Sequence, residues 1–520
     1  QSMSGTSFFI FLDGRLRISY SGGADYYNIE RIVDAGIWPV TVATTLLKPG
    51  GYQRLTQMAK LLDKENAPFE KVDAESAGKL AEEAVKDPHH VKAMKPLPSR
   101  KMKKEVPLMD CFVAPCKEGC PIHQDITTYL QLVGEEKYEE AMEVITEKNP
   151  LPFITGTICA HNCMSKCTRN FYETPVHIRE MKLKAAENGY EALLEKLPVP
   201  AVTKAGKAAV IGGGPAGMAA AYFLRKGGME VTLFEAKESL GGVVRHVIPP
   251  FRISEDAIEK DAEILRKMQV DIRCNTKVES LEELKKQGYT KIVLAVGAPV
   301  QGSLKLESGM PKNALEFLAE FKQTDGKVSL GKHVVVIGGG NTAMDTARAA
   351  KRNAGVEHVY LIYRRTRRYM PADEEELVMA LEDGVEFKEL LSPVKLENGQ
   401  LFCKVMQLSD YDVSGRRGVT ETGETVWVPA DTVIAAVGEK VPTDWYQANG
   451  LAVSEKGRLY VDEKTLKTSD DNVYAAGDGL YGPATVVEAI RDGRKVAEAI
   501  AGEVVDQATE GYEKHHEEKM

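Results

Sequence analysis

No apolar run in this 520-residue chain reaches the ~18 residues that span a bilayer. A membrane is therefore not expected as a partner. No secretory signal is legible, so the expected compartment is cytoplasmic. Positive charge is not in excess either. Lys and Arg number 67 against 76 Asp and Glu, a net charge of −9. A broad basic surface is not implied, and nucleic acid is not expected as a partner. Cysteine is scarce and unevenly placed. Six of the eight fall between Cys111 and Cys167, while Cys274 and Cys403 stand alone and read as buried thiols. Clustering of this kind without a signal peptide points to metal ligation before disulfides.

What is present is ordinary globular composition, 43% hydrophobic and 28% charged. The length suggests three or four domains at ~150 residues each. Gln1-Ser2-Met3 reads as the remnant of a cleaved tag, and the natural chain is expected to extend upstream. In residues 1–66, strands are expected at Phe8–Leu12, Leu16–Tyr20 and Trp38–Ala43, and helices at Tyr27–Ala35 and Tyr52–Leu62. Small residues follow the strands at Gly22-Gly23, Thr44-Thr45 and Gly50-Gly51. This order resembles the last βα units of a TIM barrel, although a small α/β arm has the same pattern. Residues 67–107 read as a helix, Ala74–Lys86, and a proline- and lysine-rich linker. Residues 108–200 are helical with cysteines in the loops; the helices are expected at Ile122–Glu135, Tyr138–Lys148 and His177–Leu194. From Lys207 strands and helices alternate, the mark of doubly wound α/β. Residues 328–437 form a second such unit inserted into a first, 201–327 and 438–506. Residues 507–520 are a polar tail.

The first unit opens on Ala208–Ile211 as a strand. Gly212, Gly214 and Gly217 then give G-x-G-x-x-G, with Pro215 and Ala216 inside it and a helix to Lys226 after it. Glycines permit the tight turn and the approach of pyrophosphate to backbone, and the helix start offers unpaired N–H groups. The next strand, Glu230–Phe234, ends at Glu235, a carboxylate placed for both ribose hydroxyls. Gly241 and Gly242 allow further close approach. Val473–Asp478 reads as a strand ending in an acid for a ribityl hydroxyl, Asp478 after Gly477. The helix from Thr485 and Val486 can face the pyrimidine edge of a flavin. Ala295, Gly297 and Gly438 are further expected backbone contacts. FAD is the favoured occupant.

The second unit repeats Val-Ile-Gly-Gly-Gly. Gly338, Gly340 and Ala343 form G-x-G-x-x-A, with Asn341 and Thr342 opening its helix. The strand Val359–Tyr363 ends in Arg364 and Arg365, with Arg367 and Arg368 beyond, rather than in an acid. Guanidinium groups there suit a ribose 2′-phosphate, which favours NADPH while leaving NADH open.

The cysteines run C-x4-C-x3-C-P at Cys111, Cys116 and Cys120, then C-x3-C-x3-C at Cys159, Cys163 and Cys167. Zinc sites usually open with closer pairs, whereas Cys-Pro closing a triplet is a ferredoxin habit. The favoured occupants are [4Fe–4S] clusters. Two clusters need eight ligands, so six cysteines leave two ligands to other groups.

Together these motifs resemble a known family. It contains the glutamate synthase small subunit and the electron-input half of dihydropyrimidine dehydrogenase. The match runs from Cys111 to Ala501 and includes Ile248-Pro249 with Phe251-Arg252, and Tyr363-Arg364-Arg365. The barrel tail joined to Asp-Cys-Phe-Val-Ala-Pro-Cys is similar to the selenate-reductase, YgfK-type group of that family. The resemblance implies two Rossmann-like domains of the glutathione-reductase type, for FAD and NAD(P), preceded by an α-helical iron–sulfur domain and the barrel tail. It also implies a cofactor contact at Arg252 and interleaved cluster ligands, Cys111, Cys116 and Cys167 on one and Cys120, Cys159 and Cys163 on the other. Leu108 and Lys182 depart from the dihydropyrimidine dehydrogenase pattern, and Asp110, His161 or Glu180 are candidates for the missing ligands. The expected activity passes electrons from NAD(P)H through FAD and clusters to an acceptor domain or subunit, with no side chain acting as acid or base. A FAD disulfide reductase needs a cysteine pair beside the flavin, and Gly241–Ser254 has none. A zinc-stapled nucleotide-binding assembly subunit without turnover is the remaining alternative.

Overall fold

The computed structural model describes residues 14–47, 50–62, 71–84, 86–87, 113–171, 173–411 and 417–502. The chain divides into two compact units, Gln1–Pro96 and Leu97–Met520. The strand expected at Phe8–Leu12 lies outside the described residues, as do Asp110, Cys111 and the tail.

In the first unit Tyr20–Ser21 pairs in parallel with Val40–Thr41. The strands expected over Leu16–Tyr20 and Trp38–Ala43 shrink to these residues because only they find a partner. Helices Ile29–Asp34, Tyr52–Leu61 and Ala74–Ala84 accompany them. Ala24, Ile29, Ile32 and Met58 are buried together, with Leu80 of the last helix packed on them. The Val72 N–H donates to the Gly14 carbonyl and Asp73 N–H to that of Ala35, which ties the start of that helix to this unit. Parallel strands joined through a helix are the repeat from which barrels are built.

The second unit begins with helices. Pro115 and Pro152 each start one, where the missing N–H costs nothing. Ile126–Gly134, Tyr138–Lys148 and Ile178–Lys196 pack around Tyr129, Met142 and Ile145, which are fully buried. That core is continuous with the domain that follows. Asp261, on the Glu255–Lys267 helix, joins the two. Its carboxylate accepts from the N–H groups of Phe153 (3.1 Å) and Ile154 (2.8 Å), donors that a helix start leaves unpaired. Burial pushes this carboxyl up and the two N–H groups oppose it.

Two five-stranded parallel sheets follow. The first runs Val473–Ala475, Tyr289–Leu294, Lys207–Ile211, Glu230–Phe234, Asp271–Arg273 across its width. The second runs Glu386–Glu389, His358–Tyr363, His333–Ile337, Thr432–Ala435, Lys312–Asn313. Central residues such as Val334, Val335 and Val336 are wholly buried, as expected for strands covered on both faces. The second sheet takes its edge strand and the helix Ala314–Gln323 from upstream of Val328. Val300–Gln301 pairs antiparallel with Glu439–Lys440, so the outgoing and returning crossings between the nested domains are bound side by side. The strand expected over Val473–Asp478 stops at Ala475. Gly477 turns the chain (φ 69°) and Asp478 opens a short helix. Among the described residues no helix is long and apolar enough to cross a membrane.

Candidate functional site

The first glycine turn is held from both ends. Gly214 caps the helix Pro215–Lys226, which starts with proline. A Cβ on Gly217 would lie 1.8 Å from the Gly212 carbonyl oxygen, so the turn and helix fit only without one. Glu235, 7% exposed, accepts from the Gly213 N–H (2.6 Å) and the Lys237 N–H (2.8 Å). The acid is thus anchored to the turn before any ligand arrives. The Gly241 N–H donates to the Gly213 carbonyl, and a Cβ on Gly242 would lie 2.8 Å from the Gly214 Cα. Ala295 N–H bonds the Ile211 carbonyl (2.8 Å), and Gly297 follows it beside Gly479. These contacts hold the turn Gly212–Gly217, Glu235, Gly241, Gly242, Ala295 and Gly297 together at the ends of the parallel strands, with Pro215 and Ala216 inside the turn.

The returning chain packs on the same turn, since a Cβ on Gly477 would lie 2.7 Å from the Ala216 Cβ. Thr485 forms a capping box with Glu488 ahead of the helix Val486–Ala501. Gly477 N–H donates to Asp492 (3.3 Å), and Asp478 accepts from the Ala484 N–H (3.0 Å). Burial raises the Asp478 carboxyl to about 6, with the charges of Glu488 and Asp492 adding to it. Gly438 lies instead at the crossing between domains, where its carbonyl accepts from Gly302 N–H (2.8 Å). Arg252 reaches across to the second nucleotide domain. Its guanidinium pairs with Glu376 and lies 3.3 Å from Asp345, both on the second nucleotide domain.

The second turn repeats the geometry. Gly340 caps the helix Asn341–Arg352, and Ala343 is fully buried beneath Gly338. The Asn341 side-chain oxygen accepts from the Asp373 N–H (3.0 Å), bracing the turn, and the Thr342 carbonyl accepts from the Thr346 hydroxyl (2.6 Å). The two arginines after the strand part company. Arg364 is exposed, whereas Arg365 is 8% exposed and its Nε donates to the Arg417 carbonyl (2.8 Å). Arg367 is engaged by Glu374 (2.7 Å), and Arg368 is exposed.

Cys120, Cys159 and Cys163 are each 8% exposed and line one cavity with Gln124, Lys182 and Val487. Burial pushes the Cys120 and Cys163 thiols up, so they stay neutral unless a cation draws the proton off. Cys116 and Cys167 are partly exposed, and Cys167 lies close enough for its charge to act on the Cys116 thiol. Among the described residues no three His, Cys, Asp or Glu converge as a single metal ion requires. A cluster differs, because each thiolate binds a separate iron. The Gln124 oxygen is buried without a hydrogen-bond partner, while its nitrogen donates to the Val144 carbonyl (3.1 Å). An unpaired buried acceptor on the cavity wall fits an electrophilic group there. Gln124 escaped the motif reading; its only signal is one helical turn's distance from Cys120. Of the candidate ligands, His161 is taken by Glu375 (3.1 Å), and Glu180 pairs with His177 (2.5 Å) in solvent. Glu375 itself had no sequence signal within its acidic run. It joins the second nucleotide domain to His161 and Arg179, and the His161 hydrogen bond holds it down to about 2.

Comparison with known proteins bears on all three parts. The family profile of pyridine nucleotide-disulphide oxidoreductases matches residues 206–493. That of dihydropyrimidine dehydrogenase domain II, 4Fe-4S cluster, matches 97–192. That of the N-terminal TIM-barrel domain of oxidoreductase YgfK matches 7–92. The oxidoreductase YgfK of Escherichia coli (strain K12) is 41% identical over 94% of this chain and 48% of its own. The chain therefore spans about half the length of that relative. The NADPH glutamate synthase small chain of the same strain is 33% identical over 75% of this chain and 89% of its own. Its NAD-dependent dihydropyrimidine dehydrogenase subunit PreT is 31% identical, with 75% and 91% covered. This chain belongs to the pyridine nucleotide-disulphide oxidoreductase family, in the branch that sets a 4Fe–4S cluster domain ahead of its FAD and NAD(P)H domains.

Proposed function

We propose that the chain is an electron-input module, taking reducing equivalents from NAD(P)H and delivering them to a reductive site in the remainder of a longer protein or in a partner subunit. One observation carries the reading. Val487, in the first turn of the helix that faces the flavin groove, also lines the cavity of Cys120, Cys159 and Cys163. Arg494 of the same helix donates to the Ile122 carbonyl (3.1 Å), fixing it against the Cys120 loop. On this reading the flavin site and the cysteine cavity share the helix Val486–Ala501 as a wall.

Together, the bound groups supply conversion of a two-electron donor into one-electron carriers, which side chains cannot supply. The protein's part is placement. Gly212–Gly217 and the helix start hold pyrophosphate, and Glu235 holds ribose. The Thr485–Val486 helix start favours negative charge at the pyrimidine edge. The interleaved ligand assignment is supported by the shared cavity of Cys120, Cys159 and Cys163 and by the proximity of Cys116 to Cys167. Anaerobic addition of NADPH should bleach the flavin absorbance and then the broad iron–sulfur absorbance. Absence of bleaching, or zinc in place of iron, would replace this reading with a nucleotide-binding assembly subunit.

Nucleotide preference rests on Arg364. Losing a charge-assisted contact to phosphate costs about 1.5–3 kcal/mol, roughly a tenfold to hundredfold effect. Arg364→Ala should raise KM for NADPH by that factor, with kcat and the NADH reaction unchanged. Arg365→Ala, whose guanidinium is bound elsewhere, should not separate the two cofactors.

Asp478 gives a pH dependence. A ribityl hydroxyl donates to the ionised carboxylate. Apoprotein affinity for FAD should therefore rise as pH passes upward through about 6, and Asp478→Asn should flatten that rise. Stability of the apoprotein runs the other way. The folded value lies above the ordinary 3.8, so this contribution is full below 3.8 and lost as pH rises through about 6. Isothermal titration with FAD between these limits tests the first sign, and urea unfolding of the apoprotein over the same range tests the second.

A further inference from the structure

Lys182 lies on the Ile178–Lys196 helix and is only 6% exposed. It lines the cavity of Cys120, Cys159 and Cys163. A buried ammonium is costly without an anion nearby. Among the described residues no Asp or Glu lines that cavity. Glu180 pairs with His177, and Glu375 with His161 and Arg179. The Lys182 side chain instead shares the cavity wall with Cys120, Cys159 and Cys163, so its charge falls on whatever group they hold. A protonated lysine has no lone pair and does not ligate iron. Its contribution is a fixed positive charge in a wall from which water is largely excluded, where such a charge acts strongly. Arg179, on the same wall, is offset by Glu375 at 3.6 Å.

We infer that Lys182 tunes the group held by Cys120, Cys159 and Cys163, raising its reduction potential so that it accepts electrons from the flavin side of the shared wall. The inference rests on the electron-input reading. Reduction adds one electron to a group already bearing thiolate charge, and a neighbouring cation stabilises the added charge. Lys182 is a positioning residue for charge, not a ligand.

The test is a redox titration of the whole purified chain, followed by electron paramagnetic resonance, with iron and FAD measured on the same samples. Lys182→Met should lower one midpoint by the equivalent of about tenfold, about 59 mV for one electron, with full iron and FAD. Lys182→Arg should keep the wild-type midpoint. A full-iron Met variant with an unchanged midpoint would overturn the inference. If the Met variant fails to hold iron, Lys182→Gln is read in its place with the same expected fall. Loss of iron from both, with Arg retaining it, would also overturn the inference, leaving Lys182 a structural role. Wild-type protein without any iron signal would sink the electron-input reading itself, an outcome distinct from an unmoved midpoint.

Discussion

Gly217→Ala should fold and yet leave purification nearly free of flavin. The added methyl would sit 1.8 Å from the Gly212 carbonyl oxygen and 3.3 Å from the Ala295 Cβ. Neither neighbour has room to yield. Gly212 is the turn itself, and Ala295 N–H is bonded to the central strand at Ile211. The helix must move away from the turn, which separates the N–H groups that hold the pyrophosphate. Overpacking of this kind costs about 1–3 kcal/mol. Falling on the binding geometry, it corresponds to roughly a tenfold to hundredfold loss of FAD affinity. The checking measurement is FAD released per protein after denaturation, with far-UV circular dichroism to show the fold is kept. Gly134→Ala is the control, because a Cβ there meets nothing within 4 Å. Full flavin in Gly217→Ala would mean that pyrophosphate does not lie on this turn.

The nucleotide cradles were legible because their chemistry is local. A strand, a glycine turn and a helix lie within about twenty residues, and the expected strand Glu230–Phe234 matches the structure residue for residue. Hydrophobic runs report burial, and burial on both faces defines a parallel strand. What the pattern missed depends on residues far apart in sequence. Arg252 matched a motif, yet its guanidinium is spent on Glu376 and Asp345, which no local reading could place beside it. Arg364 and Arg365 looked equivalent as adjacent cations, but neighbouring residues at a strand end point to opposite sides, and only Arg364 stays in solvent. The edge strand Lys312–Asn313 is two residues long, too short to carry a periodicity. Gln124, in the loop before the Ile126–Gly134 helix, and Lys182, on the Ile178–Lys196 helix, line the cysteine cavity by virtue of tertiary packing, which spacing alone does not encode.

Cys163→Ala should remove iron from the three-cysteine cavity while leaving NADPH able to bleach the flavin. The thiol is buried and pushed up by desolvation and by Cys120 and Cys159, which outweigh the opposing charge of Lys182, so it stays protonated until a metal binds. Alanine takes away one of three cysteine ligands and puts no donor in its place. The flavin groove keeps all its own contacts, since Glu235, Gly213 and the capped Thr485 lie outside the cavity. The expected result is loss of one paramagnetic signal and of its share of the iron, with FAD content and the rate of flavin bleaching unchanged. Cys403→Ala supplies the comparison. That thiol, on the strand Gln400–Tyr411 paired antiparallel with Arg417–Pro429, is fully buried and raised to about 12 by burial alone, the state of an inert core cysteine. It should retain every signal. A Cys163→Ala protein that kept full iron would remove this cavity from the relay. One that lost flavin along with iron would show that the continuous core joining the helices to the first sheet, not ligation, couples the two sites.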